Sequence, residues 1–110
     1  MLAELEEITI AEEEEMPSLN HSVICNRLLK QLFLNETIEA LPELALDIDR
    51  GITPDISIYP AAKIQPNFRR DITKFGEMPI LAIEVISASQ NIQDLLIKAD
   101  ILVANGVKAV

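Results

Sequence analysis

Cysteine, long apolar runs and aromatic residues are all scarce in this 110-residue sequence, and each scarcity removes a class of protein. The single cysteine, Cys25, cannot build an internal disulfide framework or a zinc site made of cysteines. No apolar run approaches the roughly 20 residues needed to cross a bilayer. The first fifteen residues are acidic, which argues against a secretory signal or a transit peptide. Cytoplasm is the default location that these absences leave. Aromatic residues make up only 4% of the chain, and with the acidic balance they favour a binding module over a catalyst.

Apolar residues are abundant. Hydrophobic residues make up 49% of the sequence, a globular composition on a chain long enough for one core. The net charge of −9 looks hostile to nucleic acid, but it is unevenly spread. Seven of the eighteen acids, Glu4 to Glu15, precede Met16; beyond that point eleven acids face nine bases, close to balance. The expected division is a flexible acidic segment over 1–15 and a folded domain over 16–110.

The apolar positions give a short list of elements. Ile24, Cys25, Leu28, Leu29 and Leu32 fall on one helical face, so the spacing predicts a helix from Asn20 to Leu34. Pro17 to Asn20 supplies turn and cap chemistry before it, and His21 lies at the start of its apolar stripe. Ile38 to Leu41 reads as a short strand stopped by Pro42. Leu44, Leu46 and Ile48 alternate with polar residues and read as a strand returning, through Asp49-Arg50-Gly51, into a second strand over Ile52–Tyr59. A long irregular stretch, Pro60 to Met78, carries Lys63, Arg69, Arg70 and Lys74. Ile80 to Ser87 is a β-branched apolar run with no wet face, the pattern of a central strand. Ser87 or Ser89 caps a second helix over Gln90–Asn105, stopped by Gly106. Its sheet-facing side is Ile92, Leu95, Leu96, Ala99, Leu102 and Val103. Ile97 and Ile101 point away, under the acidic head or into a subunit contact of a homo-oligomer. Val107 to Val110 begins a last strand that reads as cut short. The fold class is α/β, a mixed sheet with helices packed on it in the order α-β-β-β-α-β.

Glu84 stands in the middle of the apolar run, where an ionised carboxylate without a partner costs several kcal/mol. It needs a cation, strong donors or a proton. Asp55, after Pro54, lies on the neighbouring strand, and Lys98 on the following helix. Three residues back along a strand cover about 10 Å and eight along a helix about 12 Å, so Glu84 and Lys98 come out roughly level. Two carboxylates on adjacent strands beside a lysine suit Mg²⁺ or Mn²⁺. They equally suit a buried Glu84–Lys98 ion pair, with Asp55 an ordinary acid near a turn.

The segments "TPDISIYP", "MPILAIEVISASQ" and "DLLIKADILVANGVKAV" resemble the PD-(D/E)XK nuclease superfamily. More narrowly, the chain resembles its Uma-type, restriction-endonuclease-like branch from about Glu13 to Val110. The resemblance implies a Mg²⁺- or Mn²⁺-dependent endonuclease acting on DNA. Pro54-Asp55 would be the signature dipeptide and Glu84 the second acid. Asp55, Glu84 and the Val85 carbonyl would hold metal, and Lys98 would assist the attacking water. The superfamily's usual lysine position is Ile86 here, and Lys98 matches the displaced lysine of the Uma-type branch. An upstream glutamate of that branch has only Glu15, and after it Glu7, as counterparts. The branch continues past a tryptophan-containing final strand, which this sequence does not reach. His21 reads as a cap or edge histidine with a phosphate contact as the sharper alternative, and Cys25 as a small core residue. Arg69, Arg70 and Lys74 read as a solvated loop, or as contacts to a DNA backbone. A catalytically inactive nuclease-fold binding or assembly module, with Glu84 and Lys98 as a structural pair, stays open. A fragment completed by missing strands or by another copy is the third reading.

Overall fold

Helix α1, Leu19–Leu32, forms where the apolar stripe and its cap coincide. Ser18 is the N-cap, and its hydroxyl accepts the His21 N–H at 3.1 Å. The computed structural model of the protein describes residues 17–88 and 90–110. The acidic head, with Glu7 and Glu15 and the boundary expected after residue 15, lies outside the described residues.

Three strands follow: β1 (Ile38–Pro42), β2 (Ile56–Pro60) and β3 (Leu81–Ile83), in spatial order β1-β2-β3 and all antiparallel. A 3₁₀ turn, Ala61–Lys63, leaves β2, and helix α2, Ile92–Ala104, follows β3. After α2 the chain runs back beside β3. Leu81 and Ala109 form a parallel bridge, and the Ala82 N–H donates to the Ala109 carbonyl at 3.0 Å. That bridge gives the sheet its mixed character, with α2 as the crossover between parallel segments.

β2 is the middle of the sheet, and Ile56, Ser57, Ile58 and Tyr59 are all buried. On one face, Ile56, Ile58 and Ala40 pack against Leu28, Leu29 and Leu32 of α1. On the other, Ala82 packs with Leu46, Ile48, Leu102 and Val107. Two helices thus cover the two faces of one small sheet.

Several expectations are corrected. Leu44–Ile48 is not a strand. Its Leu46 N–H and carbonyl pair with Ile52 across a tight loop, and the Asp47 N–H turns to Phe75 at 2.9 Å. Asp49 (φ 50°) and Gly51 (φ 107°) turn that loop through left-handed backbone. The alternation there reports burial of Leu46 and Ile48, while the true partner of β2 is Ile38–Pro42. Of Ile80–Ser87, only Leu81–Ile83 is strand. The cap of α2 is Asn91, whose side chain accepts the Gln93 N–H at 2.8 Å, and not Ser87 or Ser89. Gly106 (φ 110°) does stop that helix, with the Val107 N–H donating to the Leu102 carbonyl at 3.1 Å. α2 is also rolled relative to expectation. Ile92, Leu96 and Val103 are more than half exposed, while Ile101 packs against the core. Lys98, anchored at the end of the sheet, turns the Leu95–Lys98–Leu102 side inward. No helix among the described residues is long and apolar enough to cross a membrane.

Candidate metal centre

The register of β2 and β3 decides whether the two acids can meet. Ile56 faces Ile83, Ser57 faces Ala82, and Ile58 faces Leu81. Asp55 and Glu84 lie one residue beyond this ladder, Asp55 before β2 and Glu84 after β3. The Val85 N–H reaches Asp55, Lys98 of α2 reaches Glu84, and the two carboxyls act on each other, so they share one site at that end of the sheet.

The backbone holds Asp55 in place. The Val85 N–H donates to Asp55 Oδ2 at 2.7 Å, and His21 Nε2 lies 3.2 Å from the same oxygen. α1 thus delivers His21 to the start of β2 from the opposite side of the site to Lys98. Lys98 Nζ lies 2.9 Å from Glu84 Oε1 and donates to the Thr53 carbonyl at 3.0 Å. The Glu84 side chain is only 9% exposed, and the Lys98 ammonium is the cation at its Oε1.

Burial pushes the Glu84 carboxyl above its ordinary range. Lys98 opposes that shift, Asp55 adds to it, and the upward direction wins. Two carboxylates meeting beside one lysine offer the oxygen ligands that a hard cation takes, so the donor set fits Mg²⁺ or Mn²⁺. Asp55 and Glu84 supply side-chain oxygens, and the Val85 carbonyl is the nearest main-chain candidate by sequence.

The expected Asp55, Glu84, Val85 and Lys98 are thus brought together, and His21 joins them. Glu15 lies outside the described residues. Arg69, Arg70 and Lys74 stand on the exposed loop after the 3₁₀ turn, and none bonds to the acids. Arg70 instead borders an open cleft of about 860 Å³ with Leu41, Leu44, Phe68, Ile72 and Phe75. Cys25, expected to be a small core residue, is only partly buried and belongs to no core cluster. Its sulfur lies 3.9 Å from His21 Nδ1, and the four-residue spacing on α1 was the only signal. Burial first, then the carboxylates of Asp55, Glu43 and Glu84, push its thiol up from its ordinary value.

A three-stranded sheet continued by a parallel segment, with a helix on each face and paired acids at one end, is a small restriction-endonuclease-like fold. The family model Uma2, described as "Putative restriction endonuclease", matches residues 7–110, and the chain belongs to that family. Neither a curated protein nor a solved structure matched the chain.

Proposed function

We propose that this protein is a metal-dependent endonuclease that hydrolyses DNA phosphodiester bonds at Asp55, Glu84 and Lys98. The observation that supports the reading is the meeting of the Asp55 and Glu84 carboxyls just beyond the ends of β2 and β3, with Lys98 2.9 Å from Glu84. Membership of the Uma2 family supports it.

Asp55 and Glu84, with the Val85 carbonyl, would hold Mg²⁺ or Mn²⁺. When bound, such an ion polarises a phosphodiester oxygen and acidifies a water. The chain's own residues do the rest. The Val85 N–H fixes the Asp55 carboxylate, so its second oxygen is aimed by the backbone. Lys98 carries three N–H donors. One is used on the Thr53 carbonyl and one faces Glu84, which leaves a third to orient a water beside the acids. The lysine charge also offsets negative charge developing on the phosphate. Arg69, Arg70 and Lys74 would meet the DNA backbone away from the reacting bond, giving binding that weakens steeply with salt.

A second reading has one observation in its favour. Lys98 is tied to both Glu84 and the Thr53 carbonyl, which is also how a purely structural brace would look. Asp55→Ala and Glu84→Ala separate the two. Each should abolish Mg²⁺-dependent cleavage of DNA, a loss of at least about a thousandfold, while the far-ultraviolet circular dichroism stays native. Cleavage retained in either variant would remove the assignment. Failure of the unaltered chain to take up Mn²⁺ in calorimetry would leave the structural brace.

A further inference from the structure

The mixed donor set beside the paired acids has a chemistry of its own. His21 and Cys25 are one helical turn apart on α1, and Asp55 reaches them from β2. One ligand atom from each lies within 4.8 Å of the other two, and all three residues are partly buried. An imidazole, a thiol and a carboxylate are the ligands of a borderline-soft ion and not of Mg²⁺. With metal–ligand bonds of 2.0–2.3 Å, tetrahedral zinc needs its ligand atoms about 3.3–3.7 Å apart. The three groups therefore have to close on one another by about an ångström to hold such an ion. The Val85 N–H already orients Asp55, and the imidazole lies between Asp55, at its Nε2, and Cys25, at its Nδ1, so it must turn to give one nitrogen to a shared ion.

We propose that His21, Cys25 and Asp55 form a second metal site, selective for Zn²⁺ and ions of its class, and that filling it draws Asp55 away from Glu84. The two sites share one carboxylate, so occupancy of one weakens the other. Binding releases the thiol proton, because the thiolate is the ligand, and an imidazole nitrogen coordinates in its neutral form. Three protein ligands leave the fourth position to water. The coupling to Glu84, though not the zinc site itself, rests on the proposed hard-metal centre. Under that reading the protein is switched off by zinc.

Co²⁺ tests the site by absorption, without any assay of cleavage. Titration of the full chain should give a near-ultraviolet thiolate-to-cobalt band that saturates at one ion per chain and is displaced by Zn²⁺. Cys25→Ser should abolish the band and weaken Zn²⁺ binding at least tenfold. His21→Asn should weaken it comparably, which covers the case in which one variant fails to fold. No band, or a band saturating at half an ion per chain, overturns the proposal, as does unchanged Zn²⁺ affinity in both folded variants. Mn²⁺ uptake, read by electron paramagnetic resonance, tests the coupling. One equivalent of Zn²⁺ should reduce it at least tenfold in the unaltered chain, and much less in Cys25→Ser. A chain that shows the cobalt band but never binds Mn²⁺ would overturn the coupling and the nuclease reading together. The zinc site would then stand alone.

Discussion

The two faces of β2 are built for different purposes. Towards α1, the sheet presents Ala40, Ile56, Ile58, Leu81 and Ile83 to Leu28, Leu29 and Leu32. Towards α2, the same strands present Ser57, Tyr59 and Ala82, with Glu84 just beyond β3, mostly polar, and the apolar fill comes from Leu46, Ile48, Leu102 and Val107. Fully burying one isoleucine contributes about 1.5–3 kcal/mol, whereas burying a hydroxyl or carboxylate costs free energy unless it is bonded. One face therefore stabilises the fold and the other spends part of that stability on placing polar groups. An alternating strand at the centre of a small sheet allows both, because successive side chains point to opposite sides.

That asymmetry can be broken from either side. The largest stability effect is expected from Ile56→Ala, on the face towards α1. Ile56 is fully buried, and truncation should lower stability by about 2–5 kcal/mol in urea denaturation. One residue along, Ser57→Ala should do the reverse. The Ser57 hydroxyl is fully buried without a hydrogen-bond partner, so its removal should raise stability by about 1 kcal/mol. A loss as large as that of Ile56→Ala would show that the two faces are not energetically distinct.

The smallest effect is a pH dependence. The Glu84 carboxyl is raised in the folded chain by burial, and Asp55 reinforces this. Its contribution without metal is therefore fully present below the ordinary carboxylate range and is lost as pH rises through the raised value. In EDTA the urea midpoint should fall over that window. Saturating Mg²⁺ should reverse the slope, because the ion favours the ionised form, and Glu84→Gln should flatten both curves. Tyr59 sharpens the comparison at the alkaline end. Burial, helped by the Glu77 carboxylate, pushes its phenol up to about 12, so stability should be lost between about pH 10 and pH 12. Ultraviolet titration of the phenolate would follow it.

The sequence was most legible where one physical rule acted locally. Ser18 and the stripe ending at Leu32 define α1 to within two residues, and Gly106 marks the end of α2. Pro54-Asp55, Glu84 and Lys98 were visible because a carboxylate in an apolar run demands an explanation. Other features depended on contacts far apart in the chain. Leu44–Ile48 alternates like a strand, yet its backbone is claimed by Ile52 and Phe75. β1 had little more to show than Ile38 and Leu41, because its pairing is set by β2 across the thirteen residues 43–55. The His21–Cys25–Asp55 group needed α1 to dock against the start of β2, and nothing in composition foretells that. The roll of α2 is not visible in its apolar spacing, because the bond from Lys98 to the Thr53 carbonyl fixes the helix by that residue.

The short contact from the Val85 amide to Asp55 has a mechanical consequence. It clamps one acid to the main chain directly beyond the other, so the gap between them behaves like a caliper set by backbone geometry. Sliding β3 by one residue would reset that gap and turn Glu84 to the opposite side at the same stroke. A cut or insertion between Ile83 and Val85 should therefore disable the site more thoroughly than loss of any charge around its rim.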